Sequence, residues 1–195
     1  CFEPQEECWS DLDQLEKKYN NESIVINKCA AGSESKKNTL FYTHDITTGQ
    51  SGFHKISDQS KDSINLNTLK TDKDLDELKK YNNSLNHERN VEVIRLDSYI
   101  KKNKIDGINL LKIDTQGHEP EVLEGLGSSL SNVDIVITEL MFYDFYERSL
   151  SFSDIEKYLL PAGLKLYDIS HISKNPMNGR TDWVDVIYVN DKIIK

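Results

Sequence analysis

From residue 91 onward the chain alternates apolar, β-branched segments with segments of helical spacing, and that alternation leaves few folds open. Residues 91–96 read as a strand, after which Asp97 and Ser98 offer an N-cap to a helix over 99–104. Residues 108–113 (Ile-Asn-Leu-Leu-Lys-Ile) form the next strand. Asp-Thr-Gln-Gly-His follows, and Pro120 then stands in the first turn of a helix with Val122, Leu123 and Leu126 on its inner side. A strand over 133–140 carries Glu139 near its end, Ser153 caps a helix over 154–160, and strands over 164–169 and 184–189 complete the series. Near-continuous apolar strands separated by helices predict an α/β fold, with a mostly parallel sheet covered on both faces. The last pair breaks the rule. A parallel return needs a crossover of about a dozen residues, usually a helix, and Pro176, Asn178 and Gly179 leave no helical period in the link 170–183. The final strand is therefore expected to run antiparallel, unlike that of an NAD-binding Rossmann sheet.

The front of the chain reads as a helix over 5–19 with Trp9, Leu12 and Leu15 on one side, a strand over 24–31 ending at Gly32, a short strand over 39–42 and a loop over 45–53. Residues 57–90 are the most polar stretch. Leu75, Leu78, Tyr81 and Leu85 supply the stripe of one surface helix there, and the charges around 73–80 supply its solvated face. With too few large apolar residues for its own core, this stretch is expected to be an insertion in a single domain of 195 residues. A hydrophobic share of 37% suffices for one core, and no apolar run approaches the ~18 residues that cross a bilayer. The net charge of −9 disfavours nucleic acid, which recruits basic surfaces. Cys1, Cys8 and Cys29 lack a metal-ligand spacing and read as reduced thiols of a cytoplasmic protein. The chain opens on Cys-Phe-Glu-Pro, with no signal peptide to be read.

Open α/β sheets bind ligands beyond the carboxyl ends of their strands. That rule selects Glu3, Ala30, Ala31 and Gly32, the stretch 114–119, Glu139 and the loop from 170. A carboxylate such as that of Glu3 accepts from two vicinal ribose hydroxyls. Asp114, His118 and Glu119 place three proton-exchanging groups in six positions around Gly117, which permits a sharp turn. The alternatives are plain: Asp114 and Glu119 serve the positive end of the next helix, and His118 is a structural histidine.

The stretch Leu-Lys-Ile-Asp-Thr-Gln-Gly-His-Glu-Pro-Glu-Val-Leu-Glu-Gly-Leu over 111–126 resembles the signature of the FkbM family of S-adenosylmethionine-dependent methyltransferases. Phe2-Glu3-Pro4 is similar to the family's acidic turn after its second strand, and residues 27–32 to its third strand and small-residue turn. Residues 96–98, 146–147 and 152–163 extend the likeness over nearly the whole chain outside 57–90. The resemblance implies a Rossmann-like class I methyltransferase sheet of order 3-2-1-4-5-7-6, whose first strand and glycine-rich turn lie upstream of Phe-Glu-Pro. Neither is in this sequence. Unpartnered buried strand edges cost ~1–3 kcal/mol per orphaned group, so the expectation is that the sequence is a truncated reading of a longer enzyme or that another segment fills the slot. The resemblance further implies O-methylation of a hydroxyl on a small molecule or sugar. In that reading Asp114 and His118 are catalytic, Glu3, Ala30 and Ala31 hold S-adenosylmethionine, and Glu139, Tyr146, His171 and Arg180 shape the acceptor pocket. The competing readings are a decayed or truncated scaffold without activity and an NAD-dependent oxidoreductase, which lacks its glycine-rich turn here.

Overall fold

A computed structural model describes residues 1–19, 24–45, 48–57, 76, 80, 83–143, 145–176 and 178–194. Most of the polar stretch 57–90 lies outside the described residues, including Leu75, Leu78 and Tyr81 of its predicted helix.

The chain enters in extended form, Cys1 to Glu3 running parallel to residues 25–27. Asn27 N donates to Cys1 O at 2.9 Å and Glu3 N to Asn27 O at 3.0 Å. Helix α1 (Glu6–Lys18) follows, with Glu6 and Glu7 in its first turn and Lys17 and Lys18 in its last, the order that suits the helix dipole. None of its residues is buried. It is tied down at its start, where the Trp9 indole donates to Glu3 O at 2.9 Å.

The expected strand over 24–31 divides at Lys28. Residues 25–27 pair with the entering segment, whereas β1 (Ala30–Gly32) pairs parallel with β3 (His87–Arg95). Strand β2 (Lys36–Thr43) flanks β3 on its other side, antiparallel, giving a three-stranded sheet of order β1-β3-β2. A second sheet has the order β4-β5-β7-β6, built from β4 (Ile108–Ile113), β5 (Val133–Met141), β6 (Leu164–Lys174) and β7 (Thr181–Asn190). Only β4 and β5 are parallel in it; β7 runs antiparallel to both β5 and β6, as the link 170–183 requires. The protein is thus α/β with two mixed sheets, which corrects the mostly parallel sheet expected. The physical reason is that both β2–β3 and β6–β7 turn back on their sequence neighbours instead of crossing over.

Helices α2 (Leu96–Asn103), α3 (Glu119–Leu126) and α4 (Phe152–Leu159) supply the rest of the core. Along β5 and β7 buried positions alternate with half-buried ones, so one face is sealed and the other only partly covered, where coverage of both faces was expected. Val122, Leu123 and Leu126 of α3 and Ile155 and Leu159 of α4 meet Val133, Val136, Leu140, Val184, Val186 and Tyr188 on the sealed face. Two helix starts differ from expectation. Asp97 and Ser98 sit inside the first turn of α2, where Asp97 meets Arg95 at 3.1 Å. Ser151, not Ser153, caps α4, in a capping box completed by Asp154, whose Oδ2 accepts from Ser151 N at 2.8 Å. Among the described residues no helix is long and apolar enough to cross a membrane.

Helix α3 joins the two sheets. Its inner face belongs to the core of the second sheet, while Gly125 lies directly on Gly32 of β1. A Cβ at Gly125 would collide with the Gly32 carbonyl, a backbone group that cannot swing aside. Overpacking of this kind costs ~1–3 kcal/mol, and a chain of this size loses about 2–4 °C per kcal/mol. Gly125→Ala is therefore expected to lower the unfolding temperature by about 5 °C or more in calorimetry; an unchanged transition would show that the helix–strand contact is looser than described.

Candidate active site

Strand β4 ends at the buried Ile113, and the chain must then reverse into α3 within five residues. It does so through two successive left-handed residues, Gln116 at φ 56° and Gly117 at φ 93°. Glycine takes that conformation freely, whereas glutamine does so at a cost. The cost is met by Glu119, which is 1% exposed. Its Oε1 accepts from Thr115 N at 2.8 Å, Thr115 Oγ1 at 3.0 Å and Gly117 N at 3.3 Å, holding the loop from within.

The reversal leaves Asp114 on the wall of a cleft of about 610 Å³. Separate segments meet at this cleft, among them Glu3 and Gln5 at the start of the chain, Ala30 and Ala31 of β1, Ser51 and Phe53 from the loop after β2, Lys112, Asp114 and Gln116 at the end of β4, and Glu139 at the end of β5. The Asp114 carboxylate is held on both oxygens, by Lys112 Nζ at 2.6 Å and by Gln116 Nε2 at 2.9 Å. Glu3 is fixed by the turn into α1, its Oε1 accepting from Gln5 N at 2.7 Å. Near it, Gln5 Oε1 and Ser51 Oγ are buried without a hydrogen-bond partner. Among the described residues β4 pairs with β5 alone, so its other edge, with Leu110 exposed, lines the cleft. No described segment fills the slot beside it.

Carboxylates dominate the electrostatics. Burial pushes Glu3 above the ordinary carboxylate range, against the hydrogen bonds from Gln5. Glu139 is pushed up to about 7, first by burial and then by Asp114, Glu119 and Asp185, with Lys112 opposing. Burial also raises Glu119. Burial pulls the Lys112 ammonium down, but Asp114, Asp185 and Glu139 outweigh it and hold it above its usual value.

Of the residues selected from sequence, Glu3, Ala30, Ala31, Asp114 and Glu139 come together in this cleft. The others stand apart. His118 turns to the back of the loop, its ring 4.2 Å from that of Phe53 and its Nδ1 3.6 Å from Glu121. Burial lowers it to about 4, so it is neutral at pH 7. Tyr146 is fully buried behind Gln116, and His171 is exposed along edge strand β6. Arg180 lies over the Tyr143 ring at 5.0 Å and bonds Asp182 at 3.0 Å. Sequence reasoning passed over Gln5, Ser51, Lys112 and Gln116. Gln116 carried a signal, its place inside the stretch 114–119, whereas Gln5 and Ser51 reach the cleft only through the tertiary fold.

The methyltransferase FkbM domain matches residues 1–166, a span that includes every cleft residue named above. The chain belongs to the FkbM methyltransferase family. No curated protein and no solved structure matches it significantly. In this FkbM-family methyltransferase the matched span ends inside β6, so His171 and Arg180 fall beyond it.

The elevated Glu139 makes a test of the cleft's electrostatics. Its folded state binds a proton more tightly than the unfolded chain, so the stability it contributes is complete below the ordinary carboxylate range and is lost as pH rises through about 7. Glu139→Gln stays neutral throughout. It is expected to unfold about 3 °C higher than the wild type at pH 8.5 and at the same temperature near pH 4.5; equal melting at pH 8.5 would contradict the crowding of carboxylates described.

Proposed function

We propose that this FkbM-family protein is an S-adenosylmethionine-dependent methyltransferase that methylates a hydroxyl on a small molecule or sugar. The observation that carries the reading is the convergence of Glu3, Ala30, Ala31, Asp114 and Glu139, from four segments, on one cleft.

The residues fit the cofactor's adenosine end. The Glu3 carboxylate suits the vicinal ribose hydroxyls, and the small side chains of Ala30 and Ala31 leave room for a flat base. The unpartnered Gln5 Oε1 and Ser51 Oγ await donors of the kind that amino and hydroxyl groups supply. When bound, S-adenosylmethionine supplies a methyl group activated by a sulfonium.

The chain's own part is to bring up and deprotonate the acceptor. Asp114, with each oxygen already accepting one hydrogen bond, is suited to orient an acceptor hydroxyl. Glu139, poised near 7, is suited to take its proton, since a base works best when its pKa lies near the working pH. His118 lies behind the loop and is assigned no step. The free thiols of Cys1, Cys8 and Cys29 support a cytoplasmic setting.

Calorimetry with S-adenosylmethionine and a methyl-transfer screen over alcohols and sugars test the reading. Glu3→Ala is expected to weaken cofactor binding at least tenfold. Asp114→Asn is expected to lower turnover at least a hundredfold while leaving cofactor affinity within a few-fold. Absence of cofactor binding by the wild type would favour an inert scaffold, and equal losses of affinity in both variants would refute the division of roles.

A further inference from the structure

We propose that Tyr146 is a positioning residue that, acting through Gln116, sets the direction of the Asp114 carboxylate in the cleft. The inference deepens the functional reading above and rests on it for the role of Asp114.

The Asp114 side chain is 39% exposed and therefore free to change rotamer unless its partners are themselves fixed. Lys112 is a poor anchor, because its long side chain is 58% exposed and such pairs hold weakly. Gln116 is a better one. Its Oε1 accepts from Tyr146 Oη at 2.7 Å while its Nε2 donates to Asp114 Oδ1 at 2.9 Å. The direction of this chain is fixed by chemistry. Burial holds the phenol far above its ordinary pKa, so it keeps its proton and remains a donor. A flipped amide would set an oxygen against the Asp114 carboxylate, acceptor against acceptor. The carboxylate selects which way the amide faces, and the phenol, donating to its nearer acceptor Gln116 Oε1, holds that amide in place as a donor to Asp114.

The origin of the chain is rigid. Tyr146 is 1% exposed, packs edge-on against Phe145 at 4.8 Å and bridges Ile56 in antiparallel fashion. Its hydroxyl also lies 3.0 Å from Gln50 O, next to the turn that carries Ser51 into the cleft. The single phenol proton is thus within reach of two acceptors, Gln116 Oε1 the nearer and Gln50 O of the turn at 48–51 the farther. Glutamine at this strained position gains a purpose: its backbone aims the amide between Tyr146 and Asp114.

The test uses the full chain, with the Gln116 side-chain amide followed by NMR. Tyr146→Phe keeps the ring and its packing and removes only the donor. It is expected to shift the two Gln116 Nε proton resonances toward their positions in a free glutamine side chain and to speed their exchange with water at least fivefold. On any alcohol or sugar that the wild type methylates, kcat should fall about tenfold with the KM for S-adenosylmethionine within twofold. Gln116→Leu should lower kcat to a similar extent, and the double variant no further. Unchanged amide resonances and exchange in Tyr146→Phe would overturn the proposal, as would losses that multiply in the double variant. If the wild type fails to bind S-adenosylmethionine, the functional reading falls, and the amide resonances still decide whether Tyr146 governs Gln116.

Discussion

The cleft depends on a carboxylate that never reaches it. Glu119 sits at the start of α3, almost wholly withdrawn from water, and replaces its hydration with two backbone N–H groups and a hydroxyl from the loop it closes. Burying a carboxylate is costly unless such donors are supplied, and here the supply dictates the loop. Thr115 and Gly117 must turn their N–H groups inward, which forces the left-handed turn at 116–117 and sends the Asp114 side chain the other way, into the cleft. Its second oxygen, Oε2, is left without a hydrogen-bond partner, consistent with a carboxyl whose burial raises its pKa.

The loop consequently has two sides with different chemistry. On the cleft side stand Asp114 and Gln116, in reach of Lys112 and Glu139. On the back, His118 packs under Phe53 and beside Glu121, whose other oxygen accepts from Arg148 Nη1 at 2.7 Å. Sequence located the stretch 114–119 because acids, histidine and glycine cluster after the most apolar strand. It could not sort the roles, since a residue's side of a reversing loop depends on φ values that spacing does not reveal. His118 and Glu119 look as chemically able as Asp114 in one dimension; in the fold the first packs on Phe53 and the second bonds within the loop, and neither lines the cleft. Tyr146 was legible as a residue near the site, yet its hydroxyl points to Gln116 rather than to open space.

The fold was legible in the same uneven way. Period and punctuation located nearly every strand from 91 onward, and the helix-free link 170–183 gave away the antiparallel β7. The resulting second sheet has the order β4-β5-β7-β6. The front half was harder, because strand pairing there is settled by distant partners. Residues 25–27 and 30–32 read as one continuous strand in sequence but serve two neighbours, Cys1 to Glu3 and β3. Helix α1 carries apolar residues at helical spacing and buries none of them, so its pattern overstated its packing.

The charge of the cleft bears on which ligands it favours. Glu3, Asp114 and Glu139 line it, and Lys112, the lysine among its described lining residues, is already bonded to Asp114. A dinucleotide brings a pyrophosphate that wants backbone N–H groups and positive potential. Placed here it would meet carboxylates, one of them already driven to about 7 by burial and then by its acidic neighbours. A ligand carrying positive charge relieves that same crowding, and as it does so it draws Glu139 toward the ionised form that can accept a proton. The acidity that is costly to fold therefore suits the cationic donor proposed above better than a dinucleotide, and this electrostatic argument is independent of sheet topology.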